Sequence, residues 1–136
     1  MKTLTLLAAL AAATPALAED SFTFFQSPSG NIGCMAITGD TDELRCDLHD
    51  LSPSFRHRPA DCDLDWGDSF AIGADDRKGS PVCHGDTVFD PDAAVLDYGL
   101  TASFGPFTCT SAKTGMTCTN AAGHGFSISR ARQSVF

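Results

Sequence analysis

Residues 109–118 read CTSAKTGMTC, and this stretch decides the fold class. Its two cysteines flank TSAKTGMT, in which short runs of strand-forming residues surround a turn that contains a glycine. Such a strand-turn-strand sequence brings Cys109 and Cys118 opposite each other. We therefore predict a β-hairpin that is closed by a Cys109–Cys118 disulfide.

The other four cysteines extend the same pattern. Cys34 and Cys46 flank MAITGDTDELR, whose turn falls at TGDTD, and pairing them leaves Cys62 to pair with Cys83. An even number of cysteines in an exported chain is typical of a disulfide framework. Each bond should stabilise the fold by about 2–3 kcal/mol, because it restricts the unfolded chain. We interpret all six cysteines as structural rather than nucleophilic.

The rest of the chain is typical of many short strands. Glycine and proline recur every few residues, short runs rich in Phe, Val, Ile and Thr lie between them, and no window has apolar residues at helical spacing. We predict an all-β fold, a small antiparallel barrel or sandwich stapled by three disulfides, with a helical turn in the final SRARQSVF. The predicted strands lie near residues 21–26, 31–37, 43–47, 69–73, 81–84, 94–98, 107–111, 116–120 and 125–130.

The first twenty residues, MKTLTLLAALAAATPALAED, have the pattern of a cleaved secretory signal. One lysine precedes a short apolar run, and an A-x-A site ends at Ala18. The apolar run is shorter than the roughly 20 residues that span a bilayer, and no later stretch approaches that length. We predict a signal peptide at residues 1–18, a single disulfide-stapled domain at 19–136, and a periplasmic or secreted protein without a transmembrane segment.

The chain is strongly acidic, with 9 basic against 17 acidic side chains and a formal net charge of −8. Loss of Lys2 with the signal makes the mature chain one unit more negative. Such a charge repels nucleic acid and anionic membranes, and it keeps an exported protein soluble. We therefore expect a monomer with no nucleic-acid partner.

The densest acidic cluster is DCDLDWGD, residues 61–68. Its D-x-D-x-D opening is similar to that of a calcium loop, but Trp66 and Ile72 stand where that loop needs Gly and Glu. Alternatively, Trp66 stacks on a sugar ring while Asp65 and Asp68 accept hydrogen bonds from its hydroxyls. A lone tryptophan in a small β domain is more often a core side chain, and we favour that interpretation.

Two further stretches hold candidate binding residues. GDTVFDPDAAVLDYG, residues 85–99, contains the single tyrosine, Tyr98, among carboxylates whose separation the sequence does not reveal. NAAGHGFSISR places His124 between two glycines, with Arg130 close behind. The glycines suit a hairpin turn with positive φ, so we interpret His124 as the exposed tip of a hairpin that also contacts a partner.

Motifs of the common catalytic classes are missing from the sequence. It contains no G-x-S-x-G, no H-E-x-x-H and no glycine loop followed by lysine. A Ser-His-Asp set assembled from scattered positions is the remaining route to an enzyme. We favour a protein that is not an enzyme and that needs neither a cofactor nor a metal.

Several phrases together resemble one family. SPSGNIGCM, RCDL, DCDLDWGDSF, PVCHGDT, LDYG, FTC and GMTCTNAAGHGFSISRAR, in this order, are similar to those of an uncharacterised family of small exported bacterial proteins, a domain of unknown function. The resemblance covers about residues 22–136 and includes all six cysteines. It implies export and disulfides, and it implies no activity, ligand or catalytic residue.

The leading functional hypothesis is a non-enzymatic binding module of the cell envelope, whose ligand is a protein or a glycan. An acidic inhibitor of a cationic hydrolase is one version of it. The alternatives are an envelope hydrolase that uses scattered Asp, His and Ser residues, and a calcium-stabilised structural protein. The candidate ligand-binding residues are Asp65, Trp66, Asp68, Tyr98, His124 and Arg130.

Overall fold

The computed structural model describes residues 9, 11–16 and 19–136. The predicted signal peptide, with its cleavage point after Ala18, lies largely outside the described residues. Regular structure in the described residues consists of strands alone. They are β1 (Ser21–Gln26), β2 (Ile32–Thr38), β3 (Glu43–Leu48), β4 (Ser69–Gly73), β5 (Ser80–Pro81), β6 (Ala94–Val95), β7 (Thr101–Phe104), β8 (Phe107–Ala112), β9 (Gly115–Thr119), β10 (Gly125–Ile128) and β11 (Gln133–Val135).

The strands form two sheets that pack face to face. One sheet has six strands in the order β5-β4-β3-β2-β1-β6, and the other has five in the order β11-β10-β9-β8-β7. Neighbouring strands are antiparallel, except for the parallel pair of β1 and β6. The all-β prediction is confirmed, and of the two predicted architectures the sandwich is the one observed.

Aromatic side chains join the two sheets. Phe25 of β1 stacks on Phe104 of β7 with 4.4 Å between ring centroids, and Phe70 of β4 lies 6.4 Å from Phe126 of β10. Phe70 and Phe126 are fully buried, as is Phe107 at the start of β8. Each buried phenylalanine contributes about 1.5–3 kcal/mol through the apolar surface that it removes from water. The core therefore lies between the sheets and includes residues of both.

Two disulfides join directly opposed residues of neighbouring strands. Cys109 of β8 faces Cys118 of β9 with 4.1 Å between Cα atoms, and Cys34 of β2 faces Cys46 of β3 with 4.0 Å. All four sulfurs belong to the core cluster. In the β8–β9 hairpin the strands are connected by a two-residue loop, after which Gly115 takes a φ of 137°. These are the pairs that the hairpin argument predicts.

The third disulfide, Cys62–Cys83, joins two irregular segments outside the sandwich core. It fixes the acidic segment 61–68 beside the chain that leaves β5. Three disulfides in one small domain indicate folding in an oxidising environment, extracellular or periplasmic.

Three local predictions are wrong. The predicted strand 81–84 is instead the two-residue β5, Ser80–Pro81, followed by an isolated bridge between His84 and Asp65, and β7 was not predicted at all. The predicted helical turn in SRARQSVF is instead β11, which pairs with β10. The turn that precedes β11 closes through a hydrogen bond from the Ser129 amide to the Arg132 carbonyl, at 2.8 Å. Arg130 and Arg132 therefore belong to a hairpin turn, and residues Gln133–Val135 after them extend the sheet.

Within the described residues, no helix has the length and apolar character that crossing a membrane requires.

Candidate functional site

The acidic segment 61–68 is attached to the region of His84 by three kinds of contact. Besides the Cys62–Cys83 bond, the backbones of Asp65 and His84 exchange two hydrogen bonds, at 2.8 and 3.1 Å. The Nε2 atom of His84 lies 2.7 Å from Oδ1 of Asp68. The segment is thus a fixed part of the fold rather than a mobile loop.

The surroundings of His84 favour the cationic form of its ring. It is buried, its Nε2 faces the Asp68 carboxylate, and its Nδ1 faces the backbone carbonyl of Asp86. Neither oxygen can donate a proton, so only the doubly protonated ring can donate to both. Burial alone lowers the pKa of His84, but the hydrogen bonds to Asp68 and Asp86 and the nearby carboxylate charges outweigh it. The pKa of His84 is therefore raised above the ordinary value of a histidine.

Asp47 on β3 is the centre of a neighbouring polar network. Its carboxylate accepts hydrogen bonds from Arg45 at Nε and Nη2, from the Ser69 hydroxyl at 2.6 Å and from the Val88 amide at 3.1 Å. The Thr87 hydroxyl adds a further donor at 3.2 Å. Asp47 is only 2% exposed, so this set of donors replaces the water that the carboxylate loses on folding. The contacts attach segment 84–89 to the outer face of the sheet.

Arg45 joins the network to the second carboxylate. Its Nη1 lies 3.1 Å from Oδ1 of Asp86, and its Nη2 donates to the Asp86 carbonyl at 3.0 Å. Burial alone lowers the pKa of Arg45, but hydrogen bonds and charges from Asp47 and Asp86 outweigh it, and the net shift is upward. The hydrogen bond and charge of Arg45 lower the pKa of Asp86, whose side chain is 84% exposed.

These groups surround a cleft of about 470 Å³, which we call the acidic cleft. At one border of it, the His49 ring stacks on Phe89 with centroids 3.5 Å apart. The buried charged groups of the cleft form ion pairs and hydrogen bonds with one another. We therefore interpret their main role as structural, namely to hold segment 84–89 in place. The lining residues are Asp47, Leu48, His49, Asp65, Asp68, His84, Gly85, Asp86, Thr87 and Phe89.

Sequence reasoning missed Arg45, Asp47 and His84, although a signal for the first two was present. Residues two apart on a strand share a face. In LRCDL, residues 44–48, the core-facing residues are Leu44, Cys46 and Leu48, so the two charges point outward together. Both are nevertheless buried, because segment 84–89 covers them. An arginine and an aspartate two residues apart, between apolar residues, could have indicated that another segment covers the outer face of this strand.

A second cavity lies at one end of the sandwich, and we call it the end pocket. It has a volume of about 310 Å³, within the range of about 300–1,000 Å³ that is usual for ligand sites. The turn before β2, the β8–β9 turn and the residues after β10 surround it. The lining residues are Ser27, Ser29, Asn31, Ile32, Tyr98, Ser111, Ala112, Lys113, Gly115, Met116, Ser129 and Arg130.

Ser111 is the unusual member of the end pocket. It lies on the inward face of β8 together with Phe107 and Cys109, and it is 1% exposed. Its backbone is satisfied by Gly99 and Leu100, but its hydroxyl has no hydrogen-bond partner in the described chain. An unpaired buried hydroxyl costs free energy, and an ordered water or a ligand atom would complete its hydrogen bonding.

The charges of the end pocket are opposite in sign to those of the protein as a whole. Lys113 and Arg130 line it, and no aspartate or glutamate does. Arg130 makes one exposed ion pair outside the pocket, from Nη2 to Oδ2 of Asp50 at 3.1 Å. Lys113 forms no ion pair within the described chain.

The predicted binding residues do not form one site. Asp65 and Asp68 line the acidic cleft, whereas Tyr98 and Arg130 line the end pocket. Trp66 is half-buried and lines neither cavity, and its indole N–H is buried without a partner in the described chain. Tyr98 is 41% exposed, which suits a side chain at the rim of the end pocket.

His124 lies in the turn between β9 and β10, but it is half-buried rather than exposed as predicted. The Asn120 side chain organises this turn by accepting hydrogen bonds from the amides of Ala122 and His124. Of the two flanking glycines only Gly123 has a positive φ, 86°. Gly125 is needed for a different reason, because a Cβ there would collide with the Cys118 carbonyl.

Among the described residues, no group of three or more His, Cys, Asp and Glu side chains is arranged to hold a metal ion. Of the acidic side chains of segment 61–68, that of Asp68 contacts His84.

A family model described as "Family of unknown function (DUF6636)" matches residues 2–136. The chain belongs to this family. No curated protein and no solved structure matches it. In this DUF6636 chain, the phrases RCDL, DCDLDWGDSF and PVCHGDT meet at the acidic cleft. SPSGNIGCM, LDYG and GMTC meet the SISRAR segment at the end pocket.

Proposed function

We propose that this protein is an exported, non-enzymatic binding module of the cell envelope, and that its end pocket binds a saccharide. The observation that carries the proposal is the unpartnered, buried hydroxyl of Ser111 in a pocket where half of the lining residues have hydroxyl or amide side chains. A saccharide offers hydroxyls that both donate and accept, so one of them can complete the hydrogen bonding of Ser111. The disulfides and the predicted signal support export to the periplasm or beyond.

The other polar groups of the pocket support the same class of ligand. The hydroxyls of Ser27 and Ser29 lie 3.2 Å apart and share one hydrogen bond, which uses one of their two protons. Ser27 also accepts from the Ile32 amide, and Ser29 accepts from the Asn31 amide. One hydroxyl proton of the pair is therefore available to a ligand oxygen.

The apolar part of the lining suits the ring of a sugar. Ile32 and Met116 are buried side chains that border the pocket from the core, and Tyr98 is exposed at its rim. An aromatic ring with a polar tip packs on the C–H face of a sugar while its hydroxyl stays in water. Strand ends and short turns carry these groups, so the protein is preorganised and little ordering entropy opposes binding.

The protein-binding version of the hypothesis draws on the acidic cleft. Asp65 and Asp86 are exposed there, and a basic partner such as a cationic hydrolase would find complementary charge. We rank it second, because the buried charges of that cleft already pair with one another. No observation favours the hydrolase alternative, since His124 lines neither cavity.

The experiment that tests the proposal is binding of the oxidised protein to an array of neutral and charged oligosaccharides. Ser111→Ala is the test variant, and Thr108→Ala, on the exposed face of the same strand, is the matched control. We expect the parent and Thr108→Ala to retain the same saccharides, and Ser111→Ala to lose at least tenfold in affinity. Equal binding by all three proteins, or binding by none, would overturn the proposal.

A further inference from the structure

We propose that the saccharide of the end pocket carries a carboxylate, which lies between Arg130 and Lys113. This inference rests on the proposed function, because it names the class of saccharide that the same pocket takes. An acidic sugar, such as a uronate residue of a polysaccharide, has hydroxyls that can form hydrogen bonds with the pocket lining. It also has a negative charge that the two cationic side chains of the pocket can bind.

The composition of the lining is the first argument. The chain has nearly twice as many acidic as basic side chains, yet the end pocket contains two cations and no carboxylate. A neutral sugar needs no such arrangement, since hydroxyls and an aromatic ring suffice for it. A ligand with a negative charge does need it, because the net charge of the protein would otherwise repel that ligand.

The backbone of Arg130 is held by a hydrogen bond, and its guanidinium has N–H donors that are not used within the described chain. The Ser52 amide donates to its carbonyl at 2.8 Å, which attaches the backbone of the turn to a separate segment. Its guanidinium carries five N–H donors, and the contact with Asp50 involves Nη2 alone. That ion pair is exposed on both sides, 70% and 72%, and exposed pairs contribute little. A carboxylate in the pocket can therefore share the guanidinium without the loss of a strong contact.

Lys113 reaches the pocket from the same end of the five-stranded sheet. It lies in the two-residue loop between β8 and β9, while Arg130 follows the end of β10, which is the next strand beyond β9. The loop is closed by Cys109–Cys118 and by the tight approach of Gly115 to the Ile128 carbonyl. The backbones of the two cationic residues are thus held one strand apart at the same end of the sheet as the inward-facing Ser111.

These positions predict how the ligand lies. The carboxylate is held at the outer side of the pocket by the two cations, and a ring hydroxyl bonds to Ser111 farther in. The charge-assisted bonds are the stronger ones, so they decide between acidic and neutral sugars. The hydroxyl of Ser111 and the ring of Tyr98 contribute to the binding of both.

The test compares sugars that differ only in charge. The oxidised protein is titrated with oligosaccharides of a uronic acid, with their methyl esters and with the neutral parent oligosaccharides. Arg130→Gln and Lys113→Gln remove one cation each, and Arg77→Gln, an exposed arginine that does not line the end pocket, is the matched control. Circular dichroism and melting temperature confirm that every variant is folded.

We expect the uronate to bind at least tenfold more tightly than its ester, and this preference to shrink about tenfold in Arg130→Gln but not in Arg77→Gln. Equal affinity for uronate, ester and neutral sugar, with Ser111→Ala still impaired, would overturn this inference and leave the proposed function standing. Failure of every saccharide to bind the parent would overturn both.

Discussion

Arg45 and Asp47 lie two residues apart on β3, and Asp47 accepts hydrogen bonds from Arg45 Nε and Nη2 at 2.9 and 3.0 Å. Both are buried on the outer face of the sheet beneath segment 84–89. The pair therefore has a structural role. The alternating pattern of a half-exposed strand would instead suggest two charged side chains in solvent.

Asp47→Asn should destabilise the protein by about 3–5 kcal/mol, because it leaves the buried Arg45 without its closest counter-charge. Urea unfolding of the oxidised protein measures this loss. Asp92→Asn, an exposed aspartate in a turn, is the control and should change stability by less than about 0.5 kcal/mol. A loss below about 1 kcal/mol in Asp47→Asn would mean that the network does not hold segment 84–89.

His84 should make stability depend on pH near neutrality. Its pKa is raised in the folded state, so its contribution is fully present below the unfolded value of about 6.5. The contribution is lost as the pH rises from there through the higher folded pKa. Melting temperatures of the parent should therefore fall over this range relative to those of His84→Asn. His57→Asn, an exposed histidine, should follow the parent profile. Parallel curves for the parent and His84→Asn would contradict the assignment of a charged His84.

Two buried serines should respond to the same substitution in opposite ways. Ser69 donates to Asp47 at 2.6 Å, whereas the Ser111 hydroxyl has no partner in the described chain. Ser69→Ala should cost about 1–3 kcal/mol, because it leaves part of the buried carboxylate unsatisfied. Ser111→Ala should leave the unfolding free energy unchanged or raise it, since it removes an unpaired polar group. Chemical denaturation measures both, and a large loss in Ser111→Ala would show that its hydroxyl is bonded in the free protein.

Cys62–Cys83 should be the first disulfide to open under mild reduction. Cys83 is exposed, whereas the cysteines of the other two bonds are fully buried. Reduction requires a thiolate to reach a sulfur, so access sets the order. Brief treatment with dithiothreitol, alkylation and mass spectrometry of the peptides should label Cys62 and Cys83 before any other pair. Earlier labelling of Cys109 and Cys118 would contradict the burial of the β8–β9 hairpin.

The sequence predicts those parts of the fold that depend on local spacing. Cys109 and Cys118 are nine residues apart around a glycine turn, so the hairpin and its disulfide follow from the local sequence. β7 and β11 were missed, because each is short and is stabilised by pairing with a neighbouring strand, β8 or β10. The strand propensity of the residues within such a segment does not indicate whether a partner strand is available.

The end pocket could be predicted only in part. Tyr98 and Arg130 were recognised as candidate residues, but Ser111 was not. A single serine on the inner face of a strand does not change the alternating sequence pattern, so the pattern does not reveal it. The pocket combines residues from four separate parts of the chain. Their proximity depends on how the two sheets pack, which local patterns do not specify.

The most direct test of the account is a map of saccharide binding by ¹H–¹⁵N NMR of the oxidised protein with a bound uronate oligosaccharide. The account predicts that chemical-shift changes concentrate at the end pocket, at Ser111, Tyr98, Lys113 and Arg130, and that they are weaker in Ser111→Ala at the same saccharide concentration. Changes centred on Asp65, Asp68 and Asp86 would place binding in the acidic cleft and contradict it. The absence of any change at saturating saccharide would contradict the account as well.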